Sequence, residues 1–389
     1  MEHVSFLVTA VVITALAFDF TNGFHDTANS MATSIATGAL RPKLAVAISA
    51  VLNLAGAFLS VAVAKTISGG ILDEKAGLKP QIVFAALIGA IVWNLVTWLR
   101  GIPSSSSHAL YGGLIGATLF AVGSHGVHFD VVMTKIIIPA VASPIVAGAA
   151  AWAATKIAYR MTRKGDEQVN SRGFKAGQVA SAMLVSVAHG TSDGQKTMGV
   201  ITLTLITAGS LAPGSNPPLW VILAAGLAMA LGTYVGGWRI IRTMGTGISE
   251  IEPAQGLTAQ SAAATVILTS SHMGFGLSTT HVCSGGIMGA GKGRANGVVH
   301  WSTARRMAYA WLLTLPAAGL AGGLGVLLAD QGAWGETALG LIGAGVAATI
   351  FVLSRRQKVD AANVVAHEIT PASPVPSVDP AAPAAPVAA

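Results

Sequence analysis

The chain has 389 residues, of which 52% are hydrophobic and only 10% charged, with 46 glycines, one cysteine and a formal net charge of +7. So apolar a composition excludes a water-soluble globule, and a lone Cys283 excludes an intramolecular disulfide and any multi-cysteine metal site. The positive balance would suit an anionic polymer, but in a chain this apolar the placement of the cations says more than their sum, and no nucleic acid is expected as a partner.

Apolar stretches approaching the roughly 20 residues that cross about 30 Å of hydrocarbon follow one another along the chain. In order they are 5–38, 44–64, 81–99, 104–122 and 131–155, then 178–208, 219–238, 257–272, 277–291, 307–329 and 336–353. The expected fold is an all-α membrane protein of about 10–12 transmembrane helices, some of them discontinuous or hairpin segments, because 257–272 and 277–291 are short enough to be re-entrant. The Ala, Gly and Leu content favours close-packed helices over barrel strands. Met1-Glu2-His3 lacks the basic start of a cleavable leader, so the first span is expected to remain in the mature protein.

All but five of the 23 Lys and Arg residues lie in loops on one side of this scheme: Arg41, Lys43, Arg100, those from Lys156 to Lys175, Arg239, Arg242, those from Lys292 to Arg306 and those from Arg355 to Lys358. The exceptions are Lys65, Lys75, Lys79, Lys135 and Lys196. The positive-inside rule makes the basic loops cytoplasmic, with the N-terminus outside and the tail inside, and the location a multi-pass protein of the cytoplasmic (inner) membrane.

The sequence also writes one polar pattern twice. Gly23-Phe24-His25-Asp26-Thr27-Ala28-Asn29 is echoed by Gly190-Thr191-Ser192-Asp193-Gly194-Gln195-Lys196, and Ser105-Ser106-Ser107-His108 by Ser278-Thr279-Thr280-His281. With five spans before the basic stretch, the second copy enters from the opposite side, so the copies are expected to be inverted repeats. The division is 1–155 for the first repeat, 156–177 for a basic cytoplasmic linker and 178–330 for the second repeat. A further span follows over 331–358, and 359–389 is a Pro- and Ala-rich tail with too little bulk to fold. Duplicated, inverted helical repeats are an architecture of secondary transporters, whose sites form near the midplane where the halves meet.

Asp19, Asp26 and Asp193 lie well inside predicted spans, and the last two occupy the same register of the two copies. Asp19 reads equally well as a satisfied structural group. For Asp26 and Asp193, chance burial would not respect the register, and a carboxylate supplies oxygen for Na⁺ or a proton. The glycines Gly23, Gly190 and Gly194 are expected to let the helices unwind there and free backbone carbonyls. Ser104, Ser105, Ser106 and Ser107 after Pro103, and Ser278, Thr279 and Thr280 after Gly274 and Gly276, stand where helices begin after a break. They can cap those helices and, with the positive helix ends, hold a tetrahedral oxyanion. Gly112-Gly113 and Gly285-Gly286 behind them allow close backbone approach.

His25 and His189 adjoin the carboxylates as candidates for a proton relay, while His108 and His281 either orient the hydroxyls or bond local carbonyls. Lys196 stands where the first copy has Asn29, three residues after the Asp, and its ammonium beside Asp193 would do the work of a bound cation. Together with Asn22 and Gln195, these residues form the expected coupling-ion set: Asn22, Asp26, Asn29, Asp193, Gln195 and Lys196.

These residues, from Asn22 to Asn29, Pro103 to His108, Asp193 to Lys196 and Ser278 to His281, resemble the inorganic phosphate transporter family over roughly residues 10 to 330, most closely its bacterial low-affinity Pit-type branch. The resemblance implies a secondary active phosphate symporter in which the Asp and Asn of the first motif, the Asp of the second and the Ser/Thr clusters line the site. It further implies proton coupling and uptake of neutral metal–phosphate complexes. Thr191-Ser192 departs from the family's more usual Ala-Asn, Gln195-Lys196 from the Ala-Asn of the sodium-coupled branch, and the central loop is short. Na⁺ coupling and a sulfate substrate therefore stay open.

The reading is thus a proton-coupled phosphate symporter working by alternating access, not an enzyme. No cofactor or resident metal is expected, and a divalent metal enters only as cargo with the phosphate. Its partners are inorganic phosphate and the bilayer, with pairing into a homodimer left open. An intramembrane hydrolase is the competing class, but the hydroxyls come as runs in two symmetric copies rather than as one activated nucleophile. An anion channel lacks its signature of charge rings or a carbonyl filter.

Overall fold

The computed structural model describes residues 6–73 and 76–365. It is almost entirely helical, with no strand among the described residues beyond two isolated bridges. The first half contains α1 (Phe6–Ala36), α2 (Pro42–Gly56), α3 (Ala62–Gly69), α4 (Pro80–Leu99), α5 (Ser106–Ala121), the short α6 (Phe129–Val131) and α7 (Ile138–Thr162), which a π turn joins to α6. The second half contains α8 (Glu167–Thr207), α9 (Leu219–Val235), α10 (Trp238–Arg242), α11 (Pro253–His272), α12 (Thr279–Gly293), α13 (Trp301–Ala329) and α14 (Ala333–Ser354).

Local chemistry sets the helix boundaries. Proline stands in the first turn of α2, α4 and α11, where its missing N–H costs nothing. The carboxylate of Asp166 caps α8 by accepting from Val169 N at 3.0 Å, and Glu252 and Gln255 form a reciprocal capping box on α11. Among the described residues five helices are long and apolar enough to cross a membrane: α1, α4, the continuous Phe129–Thr162 segment, α13 and α14 with its extension to Gln357. The α9–α10 pair adds a sixth if its 63° bend is counted within one span. Large apolar side chains such as Ile145, Leu223, Leu312 and Leu341 are exposed along these helices, as a hydrocarbon solvent allows.

Three expectations need correction. The stretch 44–64 is two helices, because the chain leaves the helix after Gly56 and re-enters at Ala62. The basic stretch 156–177 is mostly helical: α7 runs to Thr162, α8 starts at Glu167, and the turn between them is short because Asp166 caps immediately. The tail is packed from 359 to 365, where Arg242 donates to Asn363 O at 3.0 Å and to its Oδ1 at 3.1 Å and Val364 is buried. The rest of the expected tail, 366–389, lies outside the described residues.

The two halves interleave. A long helix of each packs against the short hydroxyl-bearing helix of the other, α13 on α5 and α7 on α12. Gly112 and Gly285 sit at those crossings, where a Cβ would strike the carbonyls of Leu315 and Pro144 respectively. Helices α1 and α8 run antiparallel past each other. Thr37 bonds Gln178 at 2.8 Å, Ser34 and Ser181 share Gln260 Oε1 at 3.3 Å, and Asp26 meets His189. Two apolar cores flank this crossing, one gathering Phe18 with Met198 and Val200, the other Ala28 and Met31 with Val185 and Ala188. Between them, from Asn22 to Asn29 and from His189 to Lys196, lies a buried polar belt.

Candidate anion and ion-coupling site

The belt is made by four helices. α1 and α8 cross through it as unbroken helices, so Gly23 and Gly190 do not unwind them. Their role is close approach: a Cβ on Gly23 would strike Met229 O of α9, and one on Gly190 would strike Asn53 O of α2. The breaks lie elsewhere, at 57–61, at Gly236-Gly237 and ahead of α5 and α12. The last two matter most, since they bring two helix N-termini to the carboxylates.

At each of these N-termini the first hydroxyl serves its own helix. Ser105 Oγ accepts from His108 N at 3.1 Å and Ser278 Oγ from His281 N at 3.2 Å. The next hydroxyls face the belt. Ser106 Oγ lies 2.6 Å from Asn22 Oδ1 and 2.7 Å from Asp26 Oδ2. Thr279 Oγ1 reaches Asp193 Oδ2 at 3.3 Å and Asp26 Oδ2 at 3.5 Å, and Thr280 Oγ1 reaches Asp26 Oδ1 at 3.4 Å. Asn29 Nδ2 donates to Thr279 and Thr280 at 3.2 and 3.1 Å. Ser107 Oγ accepts from Lys196 Nζ at 2.5 Å, and the same ammonium pairs with Asp193 Oδ1. Hydroxyls, helix ends and a fixed cation thus converge on two carboxylates.

The histidines join the same group. His25 Nδ1 is 2.7 Å from Asp26 Oδ1, and its Nε2 is 3.4 Å from both Thr97 and Ser104. His189 Nε2 stands 3.5 Å from Asp193 Oδ2 and 3.9 Å from Asp26 Oδ2, while its Nδ1 faces Asn53 Oδ1 at 3.3 Å. One ligand atom each from Asp26, His189 and Asp193 lies within 4.8 Å of the others, close enough for a single cation.

Two expected members stand aside. Gln195 Oε1 accepts from Val63 N at 2.7 Å and Ala64 N at 3.4 Å, so it caps α3. Ser104 bonds Thr97 at 2.8 Å and reaches the belt only through His25. His281 bonds the local carbonyl of Ala140 at 3.2 Å, and its ring packs 4.8 Å from that of His108. Residues the sequence did not single out take supporting roles: Asn53 orients His189 and is itself tied to Thr233 at 2.8 Å, and Ser49 links Ser30 and Ser186 at 3.1 and 3.0 Å. Their one signal is a polar residue alone in an apolar run.

Gly190-Thr191-Ser192-Asp193-Gly194 has the spelling of a nucleophile elbow, yet it sits mid-helix in α8, where the strand-to-helix turn that exposes such a serine is missing. Ser192 Oγ is buried without a hydrogen-bond partner, hence without a base to activate it. A buried site that gathers anion donors and cation ligands inside a bundle of apolar helices is the arrangement of a multi-pass membrane transporter.

The chain belongs to the phosphate transporter family, whose model matches residues 22–322. A probable low-affinity inorganic phosphate transporter of Mycobacterium bovis is 54% identical over 362 residues, covering 92% of this chain and 87% of the relative. One of Bacillus subtilis with the same description is 40% identical, over 85% of this chain and 99% of the relative. Among solved structures, the sodium-dependent phosphate transporter superposes with a TM-score of 0.75 at 22% identity, covering 84% of this chain and all of that one, a likeness of fold.

Proposed function

We propose that this chain is a proton-coupled symporter of inorganic phosphate, working by alternating access in the cytoplasmic membrane with its basic loops inside. The observation that carries the coupling is the ammonium of Lys196, fixed between Asp193 and the Ser107 hydroxyl at the start of α5. A permanent cation there supplies the positive charge that an alkali ion would otherwise bring, and it repels a second cation by several kcal/mol at about 4 Å in a protein interior. The anion is held by Ser106, Ser107, Thr279 and Thr280 together with the N-terminal N–H groups of α5 and α12, whose aligned dipoles each amount to about half a positive charge. Asp26, Asn22, Asn29, Asp193, His25 and His189 handle charge and protons around it.

Two matched halves, 1–155 and 178–330, are read as inverted repeats. This is supported by the antiparallel crossing of α1 and α8 and by the reciprocal packing of α13 on α5 and α7 on α12. Rocking of one group of helices against the other would open the belt to alternate sides.

A second reading concerns the cargo. The convergence of Asp26, His189 and Asp193 favours co-transport of a divalent metal with phosphate, since two carboxylates and an imidazole suit such an ion.

Purified protein in proteoliposomes, given labelled phosphate with pH and Na⁺ gradients imposed separately, tests the proposal. Accumulation should follow the proton gradient, ignore exchange of Na⁺ for choline, and resist competition by sulfate. Strong Na⁺ stimulation at fixed pH would return the chain to sodium coupling, and effective sulfate competition would change the anion.

A further inference from the structure

Asp19 lies on α1 seven residues before Asp26, about 10 Å away along the helix at 1.5 Å per residue. It is fully buried, and neither carboxylate oxygen has a hydrogen-bond partner. It takes no part in the ion pairs among the described residues. Thr197 of α8 and Asn22 of α1 face it without completing a hydrogen bond, and the Thr197 hydroxyl is itself unbonded to it, being 0% exposed and without a partner. A naked carboxylate at this depth is too costly to persist, so it must take up a positive charge. Among the described residues no lysine or arginine pairs with it, and Lys196, whose charge reaches it, is held by Asp193 and Ser107.

We propose that Asp19 is a second ion-binding site, separate from the anion belt, and that the ion it takes is the co-transported proton. The proposal rests on the proton-coupled reading above and assigns the proton a residue that reading does not use. An alkali cation is the alternative guest. A metal cation needs a shell of several oxygen ligands, whereas the polar side chains that face Asp19 are Thr197 and Asn22, and Asn22 Oδ1 already accepts from Ser106. The Lys196 ammonium, on the residue before Thr197 in α8, acts on Asp19 through its charge and disfavours a further metal cation. A proton needs no shell: added to one carboxylate oxygen, it neutralises the group and makes it a donor to its neighbours.

Charge within the belt points the same way. Among the described residues the buried Asp, Glu, Lys and Arg side chains are Asp26, Asp193 and Lys196 of the belt and Asp19 beside it, three carboxylates against one ammonium. A phosphate monoanion entering this set deepens the deficit unless a carboxylate is neutralised. The charged groups facing Asp19 are Asp193 and Lys196 of α8, with Asp26 and His25 further along its own helix. α4 and α9, which also pack on α1, bring no charged side chain, and Tyr234 of α9 is at an exposed end. Asp193 is already paired with Lys196, and Asp26 takes hydroxyl donors from both short helices. Asp19 is the carboxylate left without any.

The test compares the full-length protein with Asp19→Asn and Asp19→Glu in proteoliposomes carrying an internal pH dye and labelled phosphate. Wild type should accumulate phosphate down a proton gradient, with dye-detected proton entry accompanying it. Asp19→Asn should lose that accumulation and its coupled proton entry while phosphate exchange across the membrane remains measurable, and Asp19→Glu should restore coupling. Accumulation by Asp19→Asn at the wild-type level overturns the proposal. Loss of exchange together with accumulation also overturns it, by placing Asp19 in the fold or the phosphate path. Wild-type protein indifferent to the proton gradient would instead sink the coupling reading itself, an outcome visible before any variant is measured.

Discussion

Lys196 and Ser107 meet at 2.5 Å, an ammonium of α8 against a hydroxyl in the first turn of α5, with Asp193 completing the contact from one turn back along α8. A buried lysine thus sits between a carboxylate and a hydroxyl of the anion cluster. In the first half the equivalent position is Asn29, which instead donates its amide to Thr279 and Thr280. Lys196 thus brings to the second copy a fixed charge that the first copy lacks at that position.

That difference predicts the outcome of Lys196→Asn. Removing one partner of a buried ion pair costs about 3–5 kcal/mol, because Asp193 is left charged and unpaired. The variant should therefore lose proton-driven accumulation, and added Na⁺ should recover part of it by taking the vacated place. Uptake assays over a Na⁺ series at fixed pH measure this. Full proton-driven activity without Lys196 would remove the ammonium from the coupling scheme.

The carboxylates give a second expectation. Asp26→Asn keeps the shape but halves the acceptor capacity toward Ser106, Thr279 and Thr280, and it removes the charge facing His25 and His189. Both Asp26→Asn and Asp193→Asn should stop accumulation, with exchange of external for internal phosphate surviving better in one of them, since exchange does not return the empty carrier. Normal concentration of phosphate by both variants would make the pair structural.

Much of this belt was legible in the sequence because duplication is a register signal that burial alone cannot mimic. Asp26, Asp193, the two hydroxyl clusters and Lys196 all fell out of comparing the copies. What stayed hidden depends on tertiary contact. Gln195 follows the motif in sequence, yet its helical position turns it toward the N-terminus of α3, and nothing in a single chain foretells that. Asn53 and Ser49 are isolated polar residues in an apolar run, and only the packing of α2 on α8 gives them their partners. The glycines misled in a physical way, since the same residue permits unwinding and close packing, and Gly23 and Gly190 do the second.

Packing at Gly190 can be tested against a glycine of the same helix that touches nothing. A Cβ on Gly190 would overlap Asn53 O, so Gly190→Ala should lower thermal stability by about 1–3 kcal/mol and, by pushing α2, disturb the Asn53 hold on His189. Gly173, also in α8, has open space around it, and Gly173→Ala should be neutral or stabilise by about 0.5–1 kcal/mol. Thermal unfolding in detergent and uptake measured side by side separate the two. Equal behaviour of the variants would mean that the α2–α8 contact is looser than it looks.

The last prediction divides each hydroxyl cluster by position. Ser105 and Ser278 are spent on their own helices, accepting from His108 N and His281 N, so Ser105→Ala with Ser278→Ala removes two caps at about 1 kcal/mol each. Its main effect should be on thermal stability, with a modest rise in KM. Ser106 and Thr279 instead point into the belt at the carboxylates. Hydrogen bonds to a charged group contribute about 1.5–3 kcal/mol, so Ser106→Ala with Thr279→Ala should weaken phosphate affinity by about tenfold to a hundredfold per hydroxyl while leaving stability near wild type. The measurement is KM for phosphate uptake beside the unfolding temperature for both pairs. Should the cap pair raise KM more than the belt pair, the anion is held by the outer hydroxyls, and the division made by the helix geometry is wrong.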